Sequence, residues 1–170
     1  ATTATYTLGT AISQTIRTDG AFLLDNQGAG TLTITAATYN PALDIRGDLT
    51  IGSTDVYTKG TGTTTFRKGA TQTLTDNTAA KQDLGAVQIA VNGTNTTLTL
   101  GASAKVTSLT IDASQTFSQG ASYDLTTTGT GTVVTVNGTW SNTGTGDITL
   151  SGNVSNAGTI TLDGSEVDCG

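Results

Sequence analysis

Short runs in which apolar and polar residues alternate, each closed by a glycine-containing corner, make up most of this chain. Thr97-Leu98-Thr99-Leu100, Ser108-Leu109-Thr110-Ile111, Tyr123-Asp124-Leu125-Thr126, Val134-Thr135-Val136, Asp147-Ile148-Thr149-Leu150 and Thr159-Ile160-Thr161-Leu162 set an aliphatic side chain against Thr, Ser or Asp at alternate positions. A period of two predicts strands with one buried face. The corners Val136-Asn137-Gly138-Thr139, Gly144-Thr145-Gly146-Asp147 and Leu162-Asp163-Gly164-Ser165 supply the Gly and Asn that tolerate the positive φ of tight turns. No window carries a helical apolar stripe.

The spacing of the apolar anchors predicts how the strands are wound. Leu24, Leu49, Leu74, Leu98, Tyr123 and Ile148 follow one another at steps of 24 or 25 residues, and Leu84, Leu109, Val134 and Ile160 at 25 or 26. A recurrence of this length is the signature of a solenoid, in which each coil returns the chain to the same place beside its neighbour. The expected fold is therefore all-β, a single parallel β-helix over residues 21–170 with coils of about 25 residues, two strong strands per coil and a length of roughly 30 Å. In it Leu49, Leu74, Leu98, Leu125, Ile148 and Leu162 point into one apolar column. A β-sandwich is the alternative. A leucine-rich repeat has a similar period but demands a helix and an Asn ladder in each repeat. Residues 1–20 stand outside the register: Ala1-Thr2-Thr3-Ala4-Thr5-Tyr6-Thr7-Leu8 has strand composition and either caps the first coil or adds to the edge of another subunit.

One internal duplication supports the winding. Ser141-Asn142-Thr143-Gly144-Thr145-Gly146-Asp147-Ile148-Thr149-Leu150-Ser151-Gly152 and Ser155-Asn156-Ala157-Gly158-Thr159-Ile160-Thr161-Leu162-Asp163-Gly164 share SN-x-G followed by ITL-x-G, with two residues deleted in the second copy. With Gly47-Asp48-Leu49-Thr50-Ile51, Gly60-Thr61-Gly62-Thr63-Thr64-Thr65-Phe66 and Asn137-Gly138-Thr139-Trp140-Ser141-Asn142, this region resembles the repetitive passenger regions of bacterial surface proteins built as right-handed parallel β-helices. Filamentous haemagglutinin and autotransporter adhesins are the type members. The resemblance covers roughly residues 40–165, and it implies extracellular display, adhesion or fibre formation.

Composition narrows the chemistry. Thr outnumbers every other residue type, Gly accounts for 22 residues, only 12% of residues are charged, and His and Met are absent. Such bias also suits disorder, but the apolar residues are periodic and a net charge of −6 gives little self-repulsion. Without His there is no Ser-His-Asp triad, no Cys-His dyad and no imidazole metal ligand. Paired carboxylates remain the one route to glycosidase chemistry; Asp44 with Asp48, and Asp163, Glu166 and Asp168, are the candidates, with solvated turn carboxylates as the simpler reading. Asp76-Asn77 and Asp163-Gly164-Ser165-Glu166 are isolated oxygen clusters without a calcium-binding repeat. The expectation is a protein that is not an enzyme and carries no cofactor or metal. Seven scattered cations against net −6 exclude nucleic acid as a partner, and no apolar run is long enough to span a membrane. Trp140, Phe66, Phe117 and Tyr123 read as core residues, with a glycan-binding surface as the alternative for Trp140.

Cys169 is the single cysteine and forms either an intermolecular bridge or an inert thiol at the end coil. The sequons at Asn92, Asn95, Asn137 and Asn153 are candidate glycosylation sites, though such motifs arise by chance in a chain rich in Asn and Thr. The leading functional expectation is an extracellular or cell-surface structural protein, a β-solenoid that self-assembles head to tail with copies of itself into a fibre or layer. Thr2, Tyr6 and Leu8 at one end and Ile160, Leu162 and Cys169 at the other form the junction. A surface adhesin binding glycans ranks second. Ice binding ranks last: it requires Thr-x-Thr on successive coils of one face, outward Thr110, Thr135, Thr149 and Thr161 are its only support, and Tyr123-Asp124-Leu125 and Val134-Thr135-Val136 interrupt the pattern.

Overall fold

The computed structural model describes residues 3–26, 30–120 and 122–170. Within them the chain winds into an all-parallel β-solenoid of about 7 turns, with no helix. Each coil lays strands on three faces, where the sequence pattern predicts two. The first face stacks β2 (Thr15–Thr18), β5 (Ala42–Ile45), β8 (Thr64–Phe66), β10 (Ala86–Ile89), β13 (Ser108–Ile111), β16 (Thr132–Val136) and β19 (Asn153–Asn156). The second stacks β3 (Phe22–Leu24), β6 (Leu49–Ile51), β9 (Thr71–Asp76), β11 (Thr97–Leu100), β14 (Thr116–Ser118), β17 (Thr139–Asn142) and β20 (Thr159–Leu162). The third is interrupted: β1 (Ala4–Thr7), β4 (Leu32–Thr35) and β7 (Val56–Thr58) form one block, and β12 (Ala104–Val106), β15 (Leu125–Thr127), β18 (Ile148–Leu150) and β21 (Val167–Cys169) another. Across the gap run the bridge between Asp83 and Lys105, a hydrogen bond from the Tyr57 amide to Gln82 Oε1 at 3.4 Å, and the Lys59 ammonium, which reaches Asp83 and Thr107. Residues 4–18 supply β1 and β2, which pair with β4 and β5 and so build the first coil.

The coil spacing averages about 23 residues rather than 25, and it is uneven. Ala4 pairs with Leu32, a step of 28, whereas Ile148 pairs with Val167, a step of 19. The apolar anchor series therefore drifts between faces. Leu49 does sit beside Leu74, and Leu109 beside Val134. Tyr123, however, lies in a corner and is 36% exposed, Ile148 belongs to the third face, and Ile160 to the second. A solenoid constrains where each strand returns and leaves corner length free, so a constant spacing along the chain is not required.

Inside, continuous columns fill the coil. Leu43, Thr64, Val87, Leu109 and Val134 stand in register on the first face, and Gln72, Leu98, Phe117, Trp140 and Ile160 on the second. Leu49, Leu74, Leu98, Leu125 and Ile148 are all at most 3% exposed, while Leu162 is half-buried against the same core. Trp140 is interior, its ring 6.2 Å from that of Phe117 and tilted by 55°, so it is no carbohydrate platform. The void bounded by Phe22, Leu43, Tyr57 and Leu84 holds about 10 Å³, room for at most one water. Burial raises the Tyr57 hydroxyl above its ordinary pKa, opposed in part by a hydrogen bond with Thr64.

Buried polar side chains serve the corners. Gln72 Nε2 donates to Ile45 O at 3.0 Å and to Gly47 O at 2.5 Å, and Asn142 Nδ2 donates to Gly146 O at 2.8 Å. The Asp55 carboxylate accepts the amides of Asn26 (2.9 Å) and Leu32 (2.7 Å), tying one coil's corner to the next. These contacts satisfy backbone groups that leave the ladders at each turn. Corners also stack closely: a Cβ on Gly158 would lie 2.0 Å from Gly138 O, and one on Gly138 would lie 2.2 Å from Gln115 O.

Candidate functional site: the open coil ends and the outer faces

At one end β1, β2 and β3 have a neighbour on one side only, and at the other end the same holds for β19, β20 and β21. Among the described residues nothing covers these edges. The core thins with them: Leu8, Ile16, Phe22, Ile160 and Leu162 are only partly buried, and Val154 and Val167 are 38% and 42% exposed. Each end thus combines unpaired backbone donors and acceptors with incompletely covered apolar side chains, the combination that templates further strand addition.

The residues assigned from sequence to this junction fall at these ends. Tyr6 lies on β1 and is 58% exposed, Leu8 packs against the core just after it, Ile160 and Leu162 lie on β20, and Cys169 is free and exposed on β21 beside Leu150. Thr2 lies outside the described residues. Asn92, Asn95, Asn137 and Asn153 are all exposed. Sequence reasoning missed β2, β3 and β19 as edge strands, because the two-strand coil hid one face and the first coil carries weak patterning.

Of the candidate catalytic carboxylates, Glu166 and Asp168 share one surface depression, and Asp44 and Asp48 lie on different faces. Asp44 faces outward on β5, 3.1 Å from Arg46, and Asp48 Oδ1 accepts the Thr73 amide at 2.9 Å from another face. Asp76 is buried and holds a turn, accepting the amide and hydroxyl of Thr78 at 2.9 and 2.7 Å and the Gln82 amide. Glu166 and Asp168 line a shallow surface depression with Asp147. Among the described residues no group of three or more His, Cys, Asp and Glu side chains is placed to hold a metal ion. At the gap in the third face, Lys59 Nζ bonds to the Asp83 carboxylate and to Thr107 Oγ1, and Thr128 Oγ1 donates to Asp83 at 2.6 Å. Burial pushes the Asp83 pKa up, but the hydrogen bonds from Lys59, Thr128 and the Gly85 amide, with the Lys59 charge, outweigh it and leave the carboxyl below its ordinary value.

The outer faces differ in chemistry. On the first, Arg17, Asp44, Thr65, Gln88, Thr110, Thr135 and Ser155 form one mixed lane. On the third, Lys105, Thr126, Thr149 and Asp168 do so. The second face carries two parallel ladders in register across five coils: Thr71, Thr97, Thr116, Thr139, Thr159, and Thr73, Thr99, Ser118, Ser141, Thr161. The four threonines marked from sequence as an outward array are divided among all three faces. The segments thought to interrupt a Thr-x-Thr pattern, around Leu125 and Val134, lie on the third and first faces and do not touch these ladders.

Comparison with known protein families, curated proteins and solved structures finds no match to this chain. The resemblance to filamentous haemagglutinin and autotransporter passengers therefore holds at the level of the parallel β-solenoid alone.

Proposed function

We propose that this chain is a structural module, a β-solenoid rod that stacks end to end with copies of itself into an extracellular or cell-surface fibre or layer. The observation that carries this reading is the pair of coil ends, where among the described residues six strands have a neighbour on one side only and the flanking apolar side chains are half-buried. A surface of that kind presented head to tail makes a heterologous contact, which repeats without closing. The strongest support for placing it outside the cell is compositional: a Thr- and Gly-rich chain with 12% charged residues. The placement of Asp44 and Asp48 on different faces and the lack of His support a role without catalysis.

Negative-stain microscopy and sedimentation velocity of the intact chain over a concentration series test the proposal. Linear particles longer than one rod, shortened when residues 1–8 are deleted, are the expected result. Single rods at every concentration would overturn it and favour the displayed adhesin.

A further inference from the structure

We infer that the second face is an ice-binding surface, its two hydroxyl ladders serving as a template for the oxygen lattice of hexagonal ice. The ladders hold ten Thr or Ser side chains on five successive coils, paired strand to strand with no bulge. None of the ten hydroxyls bonds to another group among the described residues, and no charged side chain interrupts them. Neighbouring strands place equivalent hydroxyls about 4.8 Å apart, and alternate residues of one strand place them about 6.6 Å apart.

Both spacings suit ice. Tetrahedral waters joined by hydrogen bonds of about 2.75 Å have second neighbours about 4.5 Å apart and repeat about every 7.4 Å along the hexagonal axis. The short-axis mismatch of about 0.3 Å accumulates over four steps to about 1.2 Å, well under half a repeat; across the face there is one step only, with a mismatch of about 0.8 Å. Water is also the occupant that leaves nothing unsatisfied. A protein partner closing over the face would bury ten hydroxyls, each requiring a hydrogen-bond partner of its own or leaving a desolvated group unsatisfied. A glycan site would need exposed aromatic rings, and the rings here, Phe117 and Trp140, point inward.

The inference is independent of end-to-end stacking. The test is the fraction of the intact chain taken up by slowly growing ice, compared with a non-binding protein of similar size. Wild type should be enriched in the ice, Thr116→Tyr and Thr139→Tyr should fall to the level of that control, and Thr110→Tyr and Thr126→Tyr on the other faces should behave as wild type. Circular dichroism and sedimentation of each variant establish that fold and association are unchanged, and the chain lacking residues 1–8 should still enter ice. Exclusion of the wild type from ice would overturn the inference, as would equal losses in variants of all three faces. A change in association confined to Thr116→Tyr and Thr139→Tyr, with wild type excluded from ice, would assign the face to lateral contact between copies.

Discussion

Leu98 and Leu162 lie in the like-patterned runs Thr97-Leu98-Thr99-Leu100 and Thr159-Ile160-Thr161-Leu162, yet position along the rod gives them different weights. Leu98 is fully enclosed, with Gln72 and Phe117 beside it in the column, and truncation to Ala should cost about 2–4 kcal/mol through lost burial and the cavity left. Leu162, half-buried at the open end, should cost about 1 kcal/mol or less in the dissociated chain. Urea unfolding of both variants at low concentration measures the difference; equal losses would mean that the end coil is covered after all. Asp83 sets a second expectation. Its folded pKa lies below 3.8, so its ion pair and hydrogen bonds stabilise the fold above the ordinary carboxylate range, and that contribution fades as pH falls through the folded value. Asp83→Asn should lower stability at pH 7 by about 1 kcal/mol, discounted because Lys59 is partly exposed. The gap between variant and wild type should narrow below about pH 4; a gap independent of pH would show that the carboxylate charge contributes nothing.

At the level of the element, the strands were legible and the corners were not. Runs such as Thr97–Leu100 and Ser108–Ile111 announce themselves because every inward position is aliphatic and every outward one is hydroxylic. Strands such as β9, with Gln72 and Asp76 turned inward, break that pattern because the buried side chain serves a corner instead of the core. The same corners absorb the variable coil length, so a spacing read from apolar residues alone slips from face to face and merges three strands per coil into two. Register along each face, which decides that Thr97 meets Thr116 and not Thr110, is a tertiary fact absent from any single strand. Corner packing yields its own expectation. Since a methyl group at Gly138 would press on the carbonyls of Gln115 and Asp112, at 2.2 and 2.5 Å, Gly138→Ala must shift a backbone corner. It should destabilise the chain by about 2 kcal/mol or more, whereas Gly93→Ala, with open space around it but a φ of 77°, should lose only about 1 kcal/mol to backbone strain. Thermal unfolding of the pair separates crowding from conformational strain.

On the scale of the molecule, seven coils amount to a rod about 34 Å long, with chemistry on its flanks and strand edges at its ends. Removal of residues 1–8 takes away β1 and leaves β2 and β3 as the outermost strands of that end. The shortened chain should stay folded, because each remaining coil contacts only its neighbours, and it should sediment with a changed association constant; unfolding instead would show that the first coil nucleates the rest. The strand count at the far end has a further consequence. Beyond β20 the chain adds β21 to the third face, the face on which β1 also lies, so the described strands run one face past a whole number of coils. A second copy continuing the same thread must seat its β1 over β19 instead of over β21. Each copy is then turned by a third of a revolution and advanced about 35 Å, seven and a third strand layers. A fibre built by that stacking would have the symmetry of a threefold screw, and the hydroxyl ladders of its successive copies would point in three directions before the orientation recurred.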